Sequence, residues 1–308
     1  MKRFLYAFIF VFGTVCTSNA QIDPLFFQQT HLRGLINPSA TGKGGNVGAS
    51  MSLRQQWTGF PAPSFQAILA HGFSGNLRSG IGLSGVMLDD GPLQTKNIKL
   101  NYAYFVPFEE FAFFSLGMGA GIMSSVYRDG SRDFIVRDED DPVLTGLEPQ
   151  SKLLPDFDFG FEFNTRHFEM GASSTHVTYG WYDNNVLRPQ RNFYVYSRVK
   201  QPLNNNWDLI YGVTWHNNRR VNTYEAIASV RYNNNVCVDF AYRNPMSLGV
   251  AAGVTLYEGF RVVYSYDYGF DFLKNNNKGS HEVTLSYTVD LNNTYVKNKL
   301  RFFKWKIF

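Results

Sequence analysis

The sequence predicts an all-β fold: a transmembrane outer-membrane β-barrel of about 14 antiparallel strands, behind a cleaved N-terminal signal peptide. Three observations predict it. Phenylalanine and carboxylate alternate in one segment, similar alternating segments recur along the chain, and the connections between them are short at one end and mostly longer at the other.

The clearest alternation lies in PDFDFGFEFNTRHFEMGASS, Pro155 to Ser174. Successive side chains of a strand point to opposite faces. Phe157, Phe159, Phe161 and Phe163 therefore share one face, and Asp156, Asp158, Gly160 and Glu162 share the other. A sandwich core could hide the phenylalanines; a membrane barrel would turn them to lipid. The same pattern sets Ile98, Leu100, Tyr102 and Tyr104 against Asn97, Lys99, Asn101 and Ala103. It also sets Val262, Tyr264, Tyr266 and Tyr268 against Arg261, Val263, Ser265 and Asp267, and Val283, Leu285, Tyr287 and Val289 against Glu282, Thr284, Ser286 and Thr288.

Fourteen such segments read as strands: 46–56, 64–72, 79–88, 95–106, 111–124, 155–164, 166–174, 190–200, 206–216, 222–232, 235–243, 247–256, 260–268 and 279–289. Each has about ten residues, the length of a tilted membrane-spanning strand. The connections after even-numbered strands are brief (GFSGNL, PFEE, Thr165, QPLNN, NN, YEG). Those after odd-numbered strands include WTGFPAP, the 125–154 segment, HVTYGWYDNN and GFDFLKNNNKGS. Short periplasmic turns and longer external loops are the habit of outer-membrane barrels, and an even strand count returns both ends to the periplasm.

Composition agrees. Of 308 residues 17% are aromatic and only 18% charged, against about 25% charged in ordinary soluble domains. The mean hydropathy of -0.23 does not suit a helical membrane protein. Residues 1–20 read as the leader: Lys2 and Arg3, an apolar run Phe4 to Val15 too short to span a bilayer, and Ser18-Asn19-Ala20 before Gln21. A lipidated Cys16 would want a small residue where Val15 stands. Removing the leader lowers the formal charge of +4 by two, which gives no footprint for nucleic acid. Cys237 then has no partner for an intramolecular disulfide and reads as a small packing residue. The domain reading is 1–20 signal peptide, 21–45 N-terminal periplasmic segment, 46–289 barrel and 290–308 basic-aromatic tail.

No constellation of residues points to catalysis, a cofactor or a metal. Gly117, Gly119 and Gly121 are spaced GxGxG rather than GxGxxG, with no helix pattern after them, and read as room for curvature or lumen space. Asp138-Glu139-Asp140-Asp141 reads as a solvated loop rather than a calcium site. The six histidines form no HxxxH or HExxH pair. The tail carries Arg301, Phe302, Phe303, Lys304, Trp305 and Lys306, a mixture suited to a membrane interface or to protein docking. Its terminal Phe308 could alternatively close a last strand.

Ordered segments along the mature chain resemble the PorP/SprF family of type IX secretion outer-membrane proteins. QIDPLFFQQ is similar to that family's Q-D-P-x-F-x-Q opening, and Asn37-Pro38-Ser39-Ala40-Thr41-Gly42 to its N-P-A-x-A-G. Arg54, Gln56-Trp57, Gly59-Phe60 and Ala62-Pro63 resemble its R-x-Q-W-x-G and A-P segment. Asp90-Gly91-Pro92, Tyr102-Ala103-Tyr104, Tyr242-Arg243, Tyr264-Ser265-Tyr266-Asp267 and Gly279-Ser280-His281-Glu282 follow in order. Ser39 stands in place of Ala, and the tail after Asp290 extends past the family's usual end.

The resemblance implies a non-enzymatic barrel in the Gram-negative outer membrane that works with the type IX export machinery. Its implied partners are periplasmic ring proteins, secreted cargo proteins and outer-membrane lipid, with a role in secretion or surface attachment of cargo and in gliding motility. Asn37, Pro38 and Trp57 join the tail residues as candidate partner contacts, though Trp57 also reads as an interfacial anchor and Pro38 as a turn former. Two other classes stay open: a passive porin or lipophile transporter, suggested by Lys99, Asp158 and Asp267 on a lumen face, and a soluble secreted β-protein.

Overall fold

The computed structural model describes residues 26–29, 31–43, 47–59, 62–75, 77–109, 112–128, 150–181, 190–218, 221–244, 247–257, 259–270 and 278–289. Residues 1–20 (expected to be a leader), the acidic run at 138–141 and residues 290–308 lie outside the described residues.

Fourteen strands close into one cylinder. The first seven are β1 (Val47–Gln55), β2 (Ser64–Ser74), β3 (Ser79–Asp90), β4 (Leu93–Glu109), β5 (Ala112–Tyr127), β6 (Gln150–Asn164) and β7 (Phe168–Thr175). The rest are β8 (Asn192–Pro202), β9 (Trp207–Asn217), β10 (Asn222–Tyr232), β11 (Val236–Asn244), β12 (Ser247–Tyr257), β13 (Phe260–Gly269) and β14 (Ser280–Val289). Each pairs antiparallel with its neighbours in sequence, and β14 closes on β1 from Val47↔Val289 to Gln55↔His281. A closed sheet has no packed second layer, so the phenylalanine face cannot be a sandwich core.

The alternation resolves as lipid outside and polar lumen inside. Phe159 is 50% exposed while its neighbour Asp158 is 2% exposed. Ile98, Leu100, Tyr102 and Tyr104 stand outward, and Asn97, Lys99, Asn101 and Ala103 are buried within. This inversion, exposed apolar and buried polar, is the reverse of a soluble protein and stable only where hydrocarbon replaces water outside. Cys237 points inward, buried against Gly253, as a packing residue would.

Connections after even-numbered strands form the short-turn end. At the β10–β11 turn Asn233 and Asn234 both adopt left-handed backbone, with φ of 48° and 58°. Asparagine tolerates that region, and a right-twisted hairpin turn demands it. The opposite end carries the longer loops. The 125–154 connection is shorter than the alternation suggests, because β5 runs on to Tyr127 and β6 begins at Gln150. Pro155, expected from sequence as the first residue of β6, lies within it, although proline cannot donate to a ladder. It is accommodated because the β6–β7 ladder reaches only from Asn164 to Phe159, so its missing N–H faces no neighbouring strand.

Residues 21–45 were expected in the periplasm. Their described part, Phe26–Gln29 and His31–Lys43, lies instead inside the cylinder, buried against the inner faces of both barrel halves. The lumen is a folded core, with the chain's own leading segment as its filling.

The inside-outside assignment predicts that Phe159→Arg lowers barrel stability by about 2–4 kcal/mol, read from urea titration and heat-modifiable gel migration. Thr95→Arg, on the lumen face near the longer loops, leaves migration unchanged. Asp158→Arg does not serve as a neutral control, because it would set an arginine beside the buried Lys99 that Asp158 neutralises.

Candidate functional site

Among its described residues the leading segment makes one turn of helix, α1 (Arg33–Ile36), followed by a 3-10 turn (Pro38–Ala40). Its backbone groups therefore need partners on the wall. Asn37 is the hinge between the two turns. Its Oδ1 accepts from the Ser39 amide at 3.0 Å and the Ser39 hydroxyl at 2.7 Å. Its Nδ2 donates to the Phe161 carbonyl at 3.1 Å and the Tyr196 hydroxyl at 3.0 Å. Ser173 donates to the Ile36 carbonyl at 2.6 Å. One asparagine thus caps the turn and fastens it to β6 and β8.

Charge holds the lower part of the segment. Lys43 pairs with Glu162 and, at 2.6 Å, with Glu169; Arg33 pairs with Glu169 and lies 3.8 Å from Glu162. Tyr196 donates to Glu162, and Arg198 reaches Glu169 at 3.8 Å. Burial alone would lower the Arg33 pKa, but the Glu169 and Glu162 carboxylates outweigh it and raise the value. Burial pulls the His31 imidazole well below its ordinary value, and the charges of Arg231, Arg261, Arg198 and Arg33 pull it further.

Apolar contacts and missing side chains shape the seat. Phe26 and Leu32 pack on Phe65, Ala67 and Leu69 of β2, and Phe27 on Ala241, Ala251 and Val263 of β11, β12 and β13. A Cβ at Gly117 or Gly160 would come within 3.0 Å of Ser39 or Asn37, and one at Gly249 would strike the Phe27 ring. Gly117, read from sequence as curvature or lumen space, is a slot for the backbone of residues 38–39.

A second buried network lies nearer the longer loops. Glu282 accepts from the Phe27 and Gln28 amides at 2.7 and 3.0 Å and from Arg54 at 3.3 Å. Arg54 also donates to Asp267 at 3.0 Å, and Arg243 bridges Asp267 and Glu225 while reaching the Phe26 carbonyl at 3.5 Å. Separately, Asp156, Asp158 and His176 bring potential metal-ligand atoms within 4.8 Å of one another. Lys99 already supplies their cation, 2.9 Å from Asp156 and 2.7 Å from Asp158.

Of the sequence candidates, Asn37 and Pro38 are buried in the seat, and Trp57 lies in the β1–β2 loop, donating its amide to Ser280 at 3.1 Å. Arg301, Phe302, Phe303, Lys304, Trp305 and Lys306 fall outside the described residues. Glu162, Glu169, Tyr196, Arg33 and Lys43 were not singled out. Their signal was faint: inward acids on β6 and β7 that a filled lumen, and not a watery one, requires to be paired.

These features define a plugged outer-membrane β-barrel. The chain matches the type IX secretion system membrane protein PorP/SprF profile over residues 18–287, and it belongs to that family. No curated protein matches it. Among solved structures, the CymD monoaromatic hydrocarbon channel is similar at 12% identity, covering 85% of this chain and 93% of that one with a TM-score of 0.50. The Ralstonia pickettii toluene transporter TbuX is similar at 11% identity, over 82% and 91% of the two chains, with a TM-score of 0.47. The Acinetobacter baumannii outer membrane protein Omp33 is similar at 6% identity, over 80% and 100%, also at 0.47. The likeness to CymD is one of fold. The protein is a secretion-system barrel of the Gram-negative outer membrane.

Truncating Glu169 leaves Glu162 as one carboxylate for the two buried cations Arg33 and Lys43, so Glu169→Ala should cost about 3–5 kcal/mol in urea titration. Gly117→Val should expel the segment while sparing the outer wall, and limited proteolysis should then cut within residues 26–43.

Proposed function

We propose that this protein is a non-enzymatic component of the type IX secretion machinery that associates with the periplasmic ring and supports secretion or surface attachment of cargo proteins. The observation that carries the reading is the family match across residues 18–287 of a barrel whose lumen is filled. A lumen that holds the chain's own segment with buried, paired charges and phenylalanine leaves little room for a solute to diffuse through. Its work then falls to its ends: the short-turn end toward the periplasm, and the loops toward the surface.

Asn37 and Pro38 are enclosed, so contact with other proteins rests on the rim and the tail. Trp57 belongs to the loop end. Arg301, Phe302, Phe303, Lys304, Trp305 and Lys306 follow β14, whose last residue, Val289, stands at the short-turn end beside the start of β1. A cationic, aromatic stretch leaving the barrel there suits an acidic protein surface or anionic lipid.

Affinity capture from detergent-solubilised membranes tests the reading. Full-length protein should retain periplasmic ring proteins, and removing Asn292 to Phe308 should reduce their recovery. Unchanged recovery removes the tail from the contact; absence of ring proteins from both captures overturns the proposal. In planar bilayers the full chain should give little ohmic conductance, whereas a chain lacking residues 26–43 should conduct. Stable conductance from the intact chain would favour the porin reading.

A further inference from the structure

We propose that the leading segment has a second role: it selects the register in which the barrel closes. Alternation of apolar and polar faces forbids a seam slipped by one residue, because that would turn every side chain to the wrong side. It does not forbid a slip of two, which preserves both faces. The lipid-facing residues of β1 and β14 offer no discrimination either, since Met51 would meet Val283 or Tyr287 in place of Leu285, all apolar.

The discriminating contacts lie inside. At the native seam Arg54 stands opposite Glu282, and Ser52 opposite Thr284. Glu282 lies beneath the Phe27 and Gln28 amides and receives both, while Arg54 reaches it from β1 at 3.3 Å. A slip of two in either direction would place Ser280 or Thr284 opposite Arg54, neutral side chains too short to gather two backbone donors and a guanidinium. Only one position on β14 completes the set.

The segment is built to reach across that seam. Phe26 and Leu32 grip β2 on one side through Phe65 and Leu69, and Phe27 grips β11, β12 and β13 on the other through Ala241, Ala251 and Val263. It also precedes β1 directly in the chain, so its donors are present where β1 must meet a strand more than two hundred residues later. At the loop end the same register is continued by Thr58, whose amide donates to the Gly279 carbonyl at 2.8 Å, and by Lys278, whose amide donates to the Thr58 carbonyl at 2.8 Å. The segment is a positioning element for closure as well as the occupant of the lumen.

Thiol cross-linking across the seam tests this in the full mature chain with Cys237→Ser. Met51→Cys is combined with Leu285→Cys to report the native register, and with Val283→Cys or Tyr287→Cys to report slips of two. The intact segment should give the 51–285 product predominantly, and Glu282→Gln should raise the slipped products at least severalfold relative to it. Gln28→Pro, which removes one donor and leaves the wall unchanged, should act in the same direction and serves where Glu282→Gln yields no heat-modifiable barrel. An unchanged ratio in a folded Glu282→Gln or Gln28→Pro chain overturns the proposal, as does exclusive 51–285 product from a chain lacking residues 26–43. These ratios do not depend on secretion partners.

Discussion

A carboxylate withdrawn from water has to be met by donors, and Glu282 is met by two consecutive main-chain amides and a guanidinium. That one arrangement joins the beginning of the described chain to its last strand. Around it the rest of the interior follows: Arg54 leads to Asp267, Asp267 to Arg243, and Arg243 to Glu225 and the Phe26 carbonyl. The outside of the barrel is fixed by hydrocarbon and tolerates exchange among apolar residues. The inside is fixed by pairing and tolerates little, because each buried charge removed leaves another uncompensated.

The wall was legible because strands in lipid have the simplest of periods. Fourteen alternating segments read from the residues correspond to fourteen strands, and the face of Phe159 and the face of Asp158 came out as expected. Boundaries were weaker at the longer-loop end, where β5 runs past the expected residue 124 to Tyr127 and β6 begins at Gln150, ahead of the expected Pro155. The filling was illegible for a physical reason. Residues 26–43 contain one helical turn and one 3-10 turn, with no periodicity, and their structure comes from contacts with residues up to 255 positions away. Inward acids such as Glu162 and Glu169 read equally well as the lining of a wet channel. Nothing local distinguishes a carboxylate facing water from one facing Lys43.

The family landmarks acquire a common explanation. From sequence they seemed to fall on loops and strand ends with separate uses. In the structure Asn37-Pro38-Ser39 is the hinge of the filling, and Arg54, Arg243, Asp267 and Glu282 are the network that receives its other end. Trp57 and Thr58 meet Gly279 and Ser280 across the seam. Motifs dispersed over the chain thus converge on two places, the seat and the seam. Others lie elsewhere: Asp90-Gly91-Pro92 forms the β3–β4 turn, and Tyr102, Tyr104, Tyr242 and Tyr264 stand outward toward the bilayer as interfacial aromatics do.

The uneven height of the strands has its own meaning. β4, β5 and β6 have 17, 16 and 15 residues where β7 has 8, and about ten suffice to cross the hydrocarbon. The surplus extends toward the longer-loop end past Phe159, where pairing with β7 stops, as a ribbed buttress on one flank held together by main-chain pairing out to Tyr127↔Gln150. On the outward face of that crest Ser124 and Ser151 stand beside the exposed Leu153, while Ser125 is buried on the inner face. The ladder between β5 and β6 thereby outlasts the one between β6 and β7, so one flank of the wall stands taller than its neighbour.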